Sequence, residues 1–279
     1  QKILVTKLHL FKFKIRVYNL MTLLNFFVAR QKLINEFQNG FWIDIEKYFA
    51  KAIKEAEKGY KVSLKSFPFN DNLFSKFANA ESEWLLWIFS EFINKDGIKG
   101  LSKKQLQEIV DNLKLDGHSI NESLAEVVRK INYNLESAYF RTPIEKENDK
   151  LVITAGVVSL IKKAENYTKT LIVTANLGLQ NKLREEFYNK NIEIINGFEY
   201  VATLDLRTSP ECRLRDGKRW NSKREPIEHL LKYLVPPIHY NCRSLIIPFF
   251  NNLEQPKFRA SMNGPVSAQL KYSEWIKGA

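Results

Sequence analysis

The sequence predicts an α+β protein, with a mainly helical N-terminal half and a C-terminal α+β domain built around a small antiparallel sheet. Three observations predict it. Apolar residues recur at three-and-four spacing through residues 33–140, the periodicity breaks off in the charged, proline-bearing segment 141–150, and apolar residues then alternate around Asn196-Gly197. A chain of 279 residues is long enough for two modest domains. Four segments are expected: a basic amphipathic arm over 1–32, a helical docking region over 33–150, an α+β domain over 151–250 and an extended tail over 251–279.

The arm carries Lys2, Lys7, Lys12, Lys14, Arg16, Arg30 and Lys32 and no carboxylate. Its apolar run over 17–29 is interrupted by Asn19, Thr22 and Asn25 and falls short of the roughly 20 residues that a bilayer-spanning helix needs, so no membrane span is expected. In the helical region, Phe41, Ile45, Tyr48, Phe49, Ala52, Ile53 and Ala56 mark one helix, and Gly59 stops it. A second helix is expected over 81–93. There Trp84, Leu85, Trp87, Ile88, Phe89 and Phe92 leave little polar surface, so this helix should be buried or lie in an interface. Ser102 with Gln105 and Ser119 with Glu122 read as two capping boxes, and the Asp116-Gly117 turn between them makes a helical hairpin. Beyond the linker at 141–150, helices are expected over 151–164 and 170–188. Ile192, Ile194, Phe198, Tyr200 and Ala202 then form a hairpin that turns at Asn196-Gly197.

The 43 basic residues against 31 acidic ones give a net charge of +12, a balance that suits polyanionic partners such as DNA, RNA or acidic protein surfaces. Two cysteines are too few for a disulfide-stapled secreted scaffold and fit synthesis in a reducing compartment.

The most informative stretch runs from Asp205-Leu206-Arg207-Thr208 through Cys212 and Asp216-Gly217-Lys218 to Pro236-Pro237-Ile238-His239-Tyr240-Asn241-Cys242-Arg243-Ser244. Asp205 and Arg207, two residues apart at a strand end, are expected to hold the architecture, with Arg207 either bracing Asp205 in a charge-assisted pair or tying the loop of Cys212 to segment 236–242, and Arg207→Ala behaving as the loss of a buried partner. Asp216-Gly217 suits a turn, and the two prolines fix the approach of His239 and Cys242.

Taken together, D-x-R-T, a following Cys, D-G-K and PP-x-H-x-N-C-R closely resemble the signature of the phage Mu F-like head morphogenesis family. Residues 169–175 with the helix and hairpin after them resemble the region upstream of that signature. The tail, with Gly264-Pro265-Val266 and Tyr272-Ser273-Glu274-Trp275-Ile276, resembles the segment downstream of it. The resemblance covers residues 150–279, about half of the chain. It implies that 151–250 is a Mu F-like domain, with Asp205, Arg207, Thr208, Asp216, Gly217, Pro237 and Arg243 as its structural motif. It also implies a low-copy minor head protein of a tailed bacteriophage, placed in the head interior near the portal after assembly in the host cytoplasm. Portal protein, capsid or scaffold protein and non-specifically bound double-stranded DNA are the implied partners. Ser209 and Ser244 stand where members commonly carry further cysteines, so this sequence lacks two thiols of a four-thiolate set.

Cys212, His239 and Cys242 remain as candidate metal ligands, the last two at a spacing that zinc sites use. Three readings stay open for them: hydrogen-bonded core residues, a zinc site completed by Asp205, Asp216 or His229, and a Cys212–Cys242 disulfide. A basic cluster of Arg213, Arg215, Lys218, Arg219, Lys223 and Arg224, with Trp220 among them, either tracks phosphates while the indole stacks on a base or is a solvated loop. Lys12, Lys14 and Arg16 of the arm are further candidates for nucleic-acid contact. No G-x-S-x-G, H-E-x-x-H, Walker or Rossmann pattern occurs, and there are four histidines, His9, His118, His229 and His239. A non-enzymatic protein is therefore expected. The alternative is a metal-dependent nuclease or toxin/effector-type enzyme delivered with the virion.

Overall fold

The structure, a computed structural model, describes residues 39–65, 67, 71–93, 97–141, 146–147, 150–151, 155–251 and 258–278. It is an α+β fold. The basic arm, with Lys12, Lys14 and Arg16, lies outside the described residues, as does most of the expected linker.

Helix α1 covers 39–57, and Phe41, Ile45, Phe49, Ala52 and Ala56 face the core from one stripe. Gly59 closes it at φ 86°, a left-handed position that a glycine takes without strain. Helix α2 is Asp71–Ile93, ten residues longer at its start than expected, because Phe74, Phe77 and Ala78 continue the buried stripe upstream of Glu81. Helix α3, Lys103–Asp111, opens on the expected capping box at Ser102 and Gln105. Two-residue strands β1 (Lys114–Leu115) and β2 (His118–Ser119) follow, turning at Asp116 and Gly117 with φ 50° and 81°. Ser119 and Glu122 then exchange the expected capping bonds at the start of helix α4, Ile120–Arg141.

Strands β3 (Lys146–Glu147) and β4 (Lys150–Leu151) pair within the expected linker. The next element corrects the sequence reading. In place of two helices there is one, α5, Ala155–Lys190, 36 residues and about 54 Å long at 1.5 Å per residue. Gly156 lies at its open end and does not break it. Gly178 sits mid-helix because the ring of Pro237 packs where a side chain would start, 3.4 Å from an ideal Cβ.

Helix α5 is the spine of the molecule. One apolar core joins Val157, Ile161, Leu171, Ile172 and Leu179 of α5 to α1–α4. A second joins Phe187 and Tyr188, farther along the same helix, to Leu85 and Phe89 of α2 and to Phe198, Tyr200, Trp220 and Ile246 of the sheet. Both cores therefore draw on residues from either side of segment 141–150. Asn191 adds a polar tie, trading hydrogen bonds with the backbone of Lys99 at 2.8 and 3.0 Å.

The sheet is antiparallel throughout, in the order β7 (Pro226–Ile227), β6 (Arg219–Asn221), β5 (Gly197–Val201), β8 (Leu245–Phe249). The expected hairpin at Asn196-Gly197 is not formed. Ile192–Ile194 is a 3-10 turn, and Gly197 is the first residue of central strand β5. A Cβ there would meet the Trp220 carbonyl at 2.3 Å and the Phe249 ring at 2.5 Å, so the glycine serves close strand packing and not a reversal.

The tail is not extended either. Strands β9 (Phe258–Ser261) and β10 (Gly264–Ser267) pair as a hairpin, and a short helix, Tyr272–Trp275, buries Tyr272 and Trp275 against Leu204. Apolar area that an extended tail would leave in water is covered in this way. Among the described residues, no helix is long and apolar enough to cross a membrane.

Candidate metal centre

Helix α6, Pro210–Arg215, places Cys212. Ser209 caps it, taking the Cys212 N–H at 3.3 Å, and Pro210 supplies a first position that needs no donor. The segment after Pro237 places His239 and Cys242. Its Asn241 adopts φ 60°, its Asn241 N–H is held by Thr174 Oγ1 of α5 at 3.0 Å, and the Cys242 N–H returns to the His239 carbonyl at 3.2 Å. The Pro236-Pro237 peptide is cis.

These two segments bring Cys212, His239 and Cys242 together, with their ligand atoms all within 4.8 Å of one another. Cys212 Sγ lies 3.1 Å from His239 Nε2 and 3.8 Å from Cys242 Sγ. Both thiols are free and buried, while His239 is half-buried. His239 Nδ1 stands 2.7 Å from the Tyr240 carbonyl, which can only accept, so the hydrogen of a neutral ring sits on Nδ1 and the Nε2 lone pair faces the sulfur. That carbonyl is also the usual outer support of a metal-binding imidazole.

The hydrogen bond between the two sulfurs lowers Cys212 and raises Cys242, so the pair gives up a first proton readily and holds the second. Ser209 and Tyr200 add hydrogen bonds that favour the Cys212 thiolate against the cost of burial. Burial works against a charged His239 ring, but the Tyr240 carbonyl and the Cys212 sulfur outweigh it and raise its pKa. Burial, then the bond to Cys212, pushes the Tyr200 phenol far up, so it stays a neutral donor. Two cysteines and an imidazole lone pair form a group that can hold a metal ion.

None of the fourth ligands considered from sequence is at the centre. His229 Nε2 bonds the Arg219 carbonyl at 2.8 Å, and its Nδ1 takes the Leu231 N–H. Asp205 is bound by Arg243, with one bond at 2.9 Å and a shorter one beside it. Arg259 Nη1 and Nη2 bond Asp216 at 3.0 and 2.8 Å, and Asp216 also takes the backbone N–H groups of Ala202 and Tyr272. What stands beside the three ligands are hydroxyls: Ser209 Oγ is 2.8 Å from His239 Nε2, and Tyr200 Oη is 3.2 Å from Cys212 Sγ.

The expected Asp205–Arg207 pair is corrected by this geometry. Residues 205–207 turn and do not run extended, so Arg207 faces solvent and only its backbone N–H reaches Asp205, at 3.0 Å. The cation on Asp205 is Arg243, whose hydrogen bonds hold that carboxyl below the usual aspartate range. Thr208 Oγ1 adds bonds to the Thr203 carbonyl and to Asp205 at 2.5 and 3.1 Å. Gly217 follows Asp216 at φ 69°, as a turn there requires.

The basic cluster is largely turned inward. Arg213 bonds the Thr208 carbonyl at 2.6 Å, Arg215 that of Lys232 at 2.8 Å, Arg219 pairs with Glu199 at 2.6 Å and Arg224 with Glu185 at 2.7 Å. Trp220 is fully buried with its indole N–H on the Leu231 carbonyl, so it cannot stack on a base. Lys223 is exposed and Lys218 half-buried.

Nothing in the sequence marks Arg259, and Tyr272 stands out there only as part of the tail segment. They lie 43 and 56 residues from the carboxylate they bind, a separation that leaves no local pattern. Tyr200 was legible only as an inward strand residue. Comparison with profiles of known families, with curated proteins and with solved structures finds no match.

Proposed function

We propose that the chain is a Mu F-like minor head protein of a tailed bacteriophage, a low-copy virion component that acts in head morphogenesis. It associates with the portal protein, with capsid or scaffold protein and, without sequence preference, with packaged DNA in the head interior. The observation that carries this reading is how the signature residues use one another. Asp205 goes to Arg243, Thr208 back to Thr203, Asp216 to Ala202 and to the tail, and Cys212 meets His239 and Cys242. Residues up to 56 positions apart are spent on holding this region in shape. The commitment of Asp205 and Asp216 to arginines also takes away the carboxylates that a nuclease centre would use.

Zinc is the ion we assign to Cys212, His239 and Cys242. With Zn–S bonds near 2.3 Å, a tetrahedral site sets two sulfurs about 3.8 Å apart, and the two cysteines already stand at 3.8 Å. The imidazole, 3.1 Å from Cys212, is somewhat closer to it than a shared ion allows, so binding requires the ring to shift. The ion would tie α6 to the segment after Pro237.

Quantitative mass spectrometry of purified phage particles tests the assembly reading. The chain should be present at a few copies per portal, and its absence from particles that carry their full set of head proteins would refute the proposal.

A further inference from the structure

Two thiolates and one imidazole leave a zinc ion one ligand short of the four that closed structural sites use. Asp205, Asp216 and His229 are committed elsewhere. Among the described residues, the polar side-chain groups beside the three ligands are the hydroxyls of Ser209, Tyr200 and Ser244.

Ser209 differs from the other two in what it reaches. Its Oγ lies 2.8 Å from His239 Nε2 and also hydrogen-bonds the Cys212 sulfur, so it borders a nitrogen ligand and a sulfur ligand at once. Tyr200 Oη, 3.2 Å from Cys212 Sγ, and the Ser244 hydroxyl meet the centre on its sulfur side. The chain also fixes Ser209 in place. As the N-cap of α6 it accepts the Cys212 N–H at 3.3 Å, which ties its oxygen to the turn that carries one of the ligands.

The hydrogen bonds say what changes when an ion enters. With its hydrogen on Nδ1 and held by the Tyr240 carbonyl, the neutral ring has one lone pair, at Nε2, and Ser209 donates its hydroxyl hydrogen to it. A metal on Nε2 takes that lone pair, so the Ser209 hydrogen turns away. One lone pair of its oxygen stays with the Cys212 N–H, and the other is released for the ion. The distances agree. In a tetrahedral zinc site a nitrogen and an oxygen ligand stand about 3.3 Å apart, and a nitrogen and a sulfur about 3.6 Å. The present 2.8 and 3.1 Å are both short by about half an ångström, so one shift of the imidazole, with Ser209 and Cys212 left in place, corrects both. A pocket of about 200 Å³ beside His239 leaves the ring room to move.

We infer that the Ser209 hydroxyl is the fourth ligand of the ion and closes a site of two cysteines, one histidine and one serine. The inference rests on the zinc assignment above and makes the site a closed, structural one, with no position left for water or substrate. On binding, the two thiol protons pass to solvent and Ser209 keeps its own.

Cobalt(II) titrated into the full chain, stripped of metal, tests it, because bound thiolates give a near-ultraviolet band that grows with their number and the visible bands report the other ligands. The parent should show both bands, and added imidazole should not change them. Ser209→Gly, which suits an N-cap nearly as well, should bind cobalt at least about tenfold more weakly and take up imidazole in the freed position, shifting the visible bands. Ser209→Cys should add a third thiolate and raise the near-ultraviolet band by about half. Tyr200→Phe and Ser244→Ala should resist imidazole as the parent does. Visible bands that shift with imidazole in the parent, unchanged affinity in Ser209→Gly, or no stronger thiolate band in Ser209→Cys would overturn the inference and leave the metal in place. A parent with no thiolate band would overturn the metal assignment together with it.

Discussion

The helical half and the C-terminal domain both contain carboxylate–arginine pairs, and the pairs have different jobs. Glu126 and Arg129 on α4 meet at 2.7 Å with their side chains 43% and 70% exposed. Asp216 and Arg259 meet at 2.8 Å with theirs 1% and 10% exposed, and they join segments 43 residues apart. The α4 pair decorates a helix that Leu124, Val128, Ile131 and Leu135 already hold in the core. The second is the joint itself: Asp216 ends α6, and its oxygens bind Arg259 of β9 and the first backbone N–H of the terminal helix. Water screens the exposed pair to near irrelevance, while breaking the buried one strands a charge in the interior. The helical half is thus held mainly by apolar stripes, with the buried Glu81–Arg184 pair between α2 and α5 as its own long-range polar tie, whereas the C-terminal part adds to its apolar core several polar residues that bind across long stretches of chain.

The sharpest way to break this contrast is Arg259→Ala. It leaves the Asp216 carboxylate buried without its cation and should cost about 3–5 kcal/mol in denaturant unfolding, with the tail becoming protease-sensitive. Arg243→Ala should cost less, about 1.5–3 kcal/mol, because Thr208 and the Arg207 backbone still bond Asp205 and the site is closer to solvent. Arg207→Ala, expected from sequence to belong with these, should stay within about 0.5 kcal/mol of the parent, since its side chain faces solvent. Glu126→Gln on α4 should leave the unfolding midpoint where it is. If Arg207→Ala proved as damaging as Arg259→Ala, the assignment of partners would be wrong.

Acid offers an independent check on Asp205. Its carboxyl is lowered in the folded protein by Arg243, so the stability it contributes is complete above the pKa of a free aspartate, about 3.9, and is lost as pH falls through its own lower value. Unfolding midpoints measured downward from pH 5 should fall less steeply in Arg243→Ala than in the parent.

The same contrast explains what could be read from the sequence. Helix α1, both capping boxes and the Asp116-Gly117 turn follow from local pattern, because their bonds span only three or four residues. Asn196-Gly197 misled for the opposite reason: the glycine answers to Trp220 and Phe249, which no local window contains. Likewise the break expected between 164 and 170 does not occur, since α5 runs through it with residues from Val157 to Phe187 serving two cores. At the centre, the spacing of His239 and Cys242 marked them as candidates, and Cys212 stands with them in a group that could hold a metal ion. The spacing of these residues does not say who binds whom: Asp205 chose Arg243 over its near neighbour Arg207, and Asp216 chose residues of the tail.

The account turns on the Cys212, His239 and Cys242 group being a metal-bearing joint of this domain, and metal analysis paired with thermal unfolding tests that most directly. Protein purified without chelator should contain close to one zinc per chain, and chelation should lower its thermal midpoint. Cys242→Ser should lose both the ion and several degrees of stability. Zinc near zero, together with a Cys242→Ser variant that unfolds at the parent's temperature, would contradict it and leave the three residues as packed core.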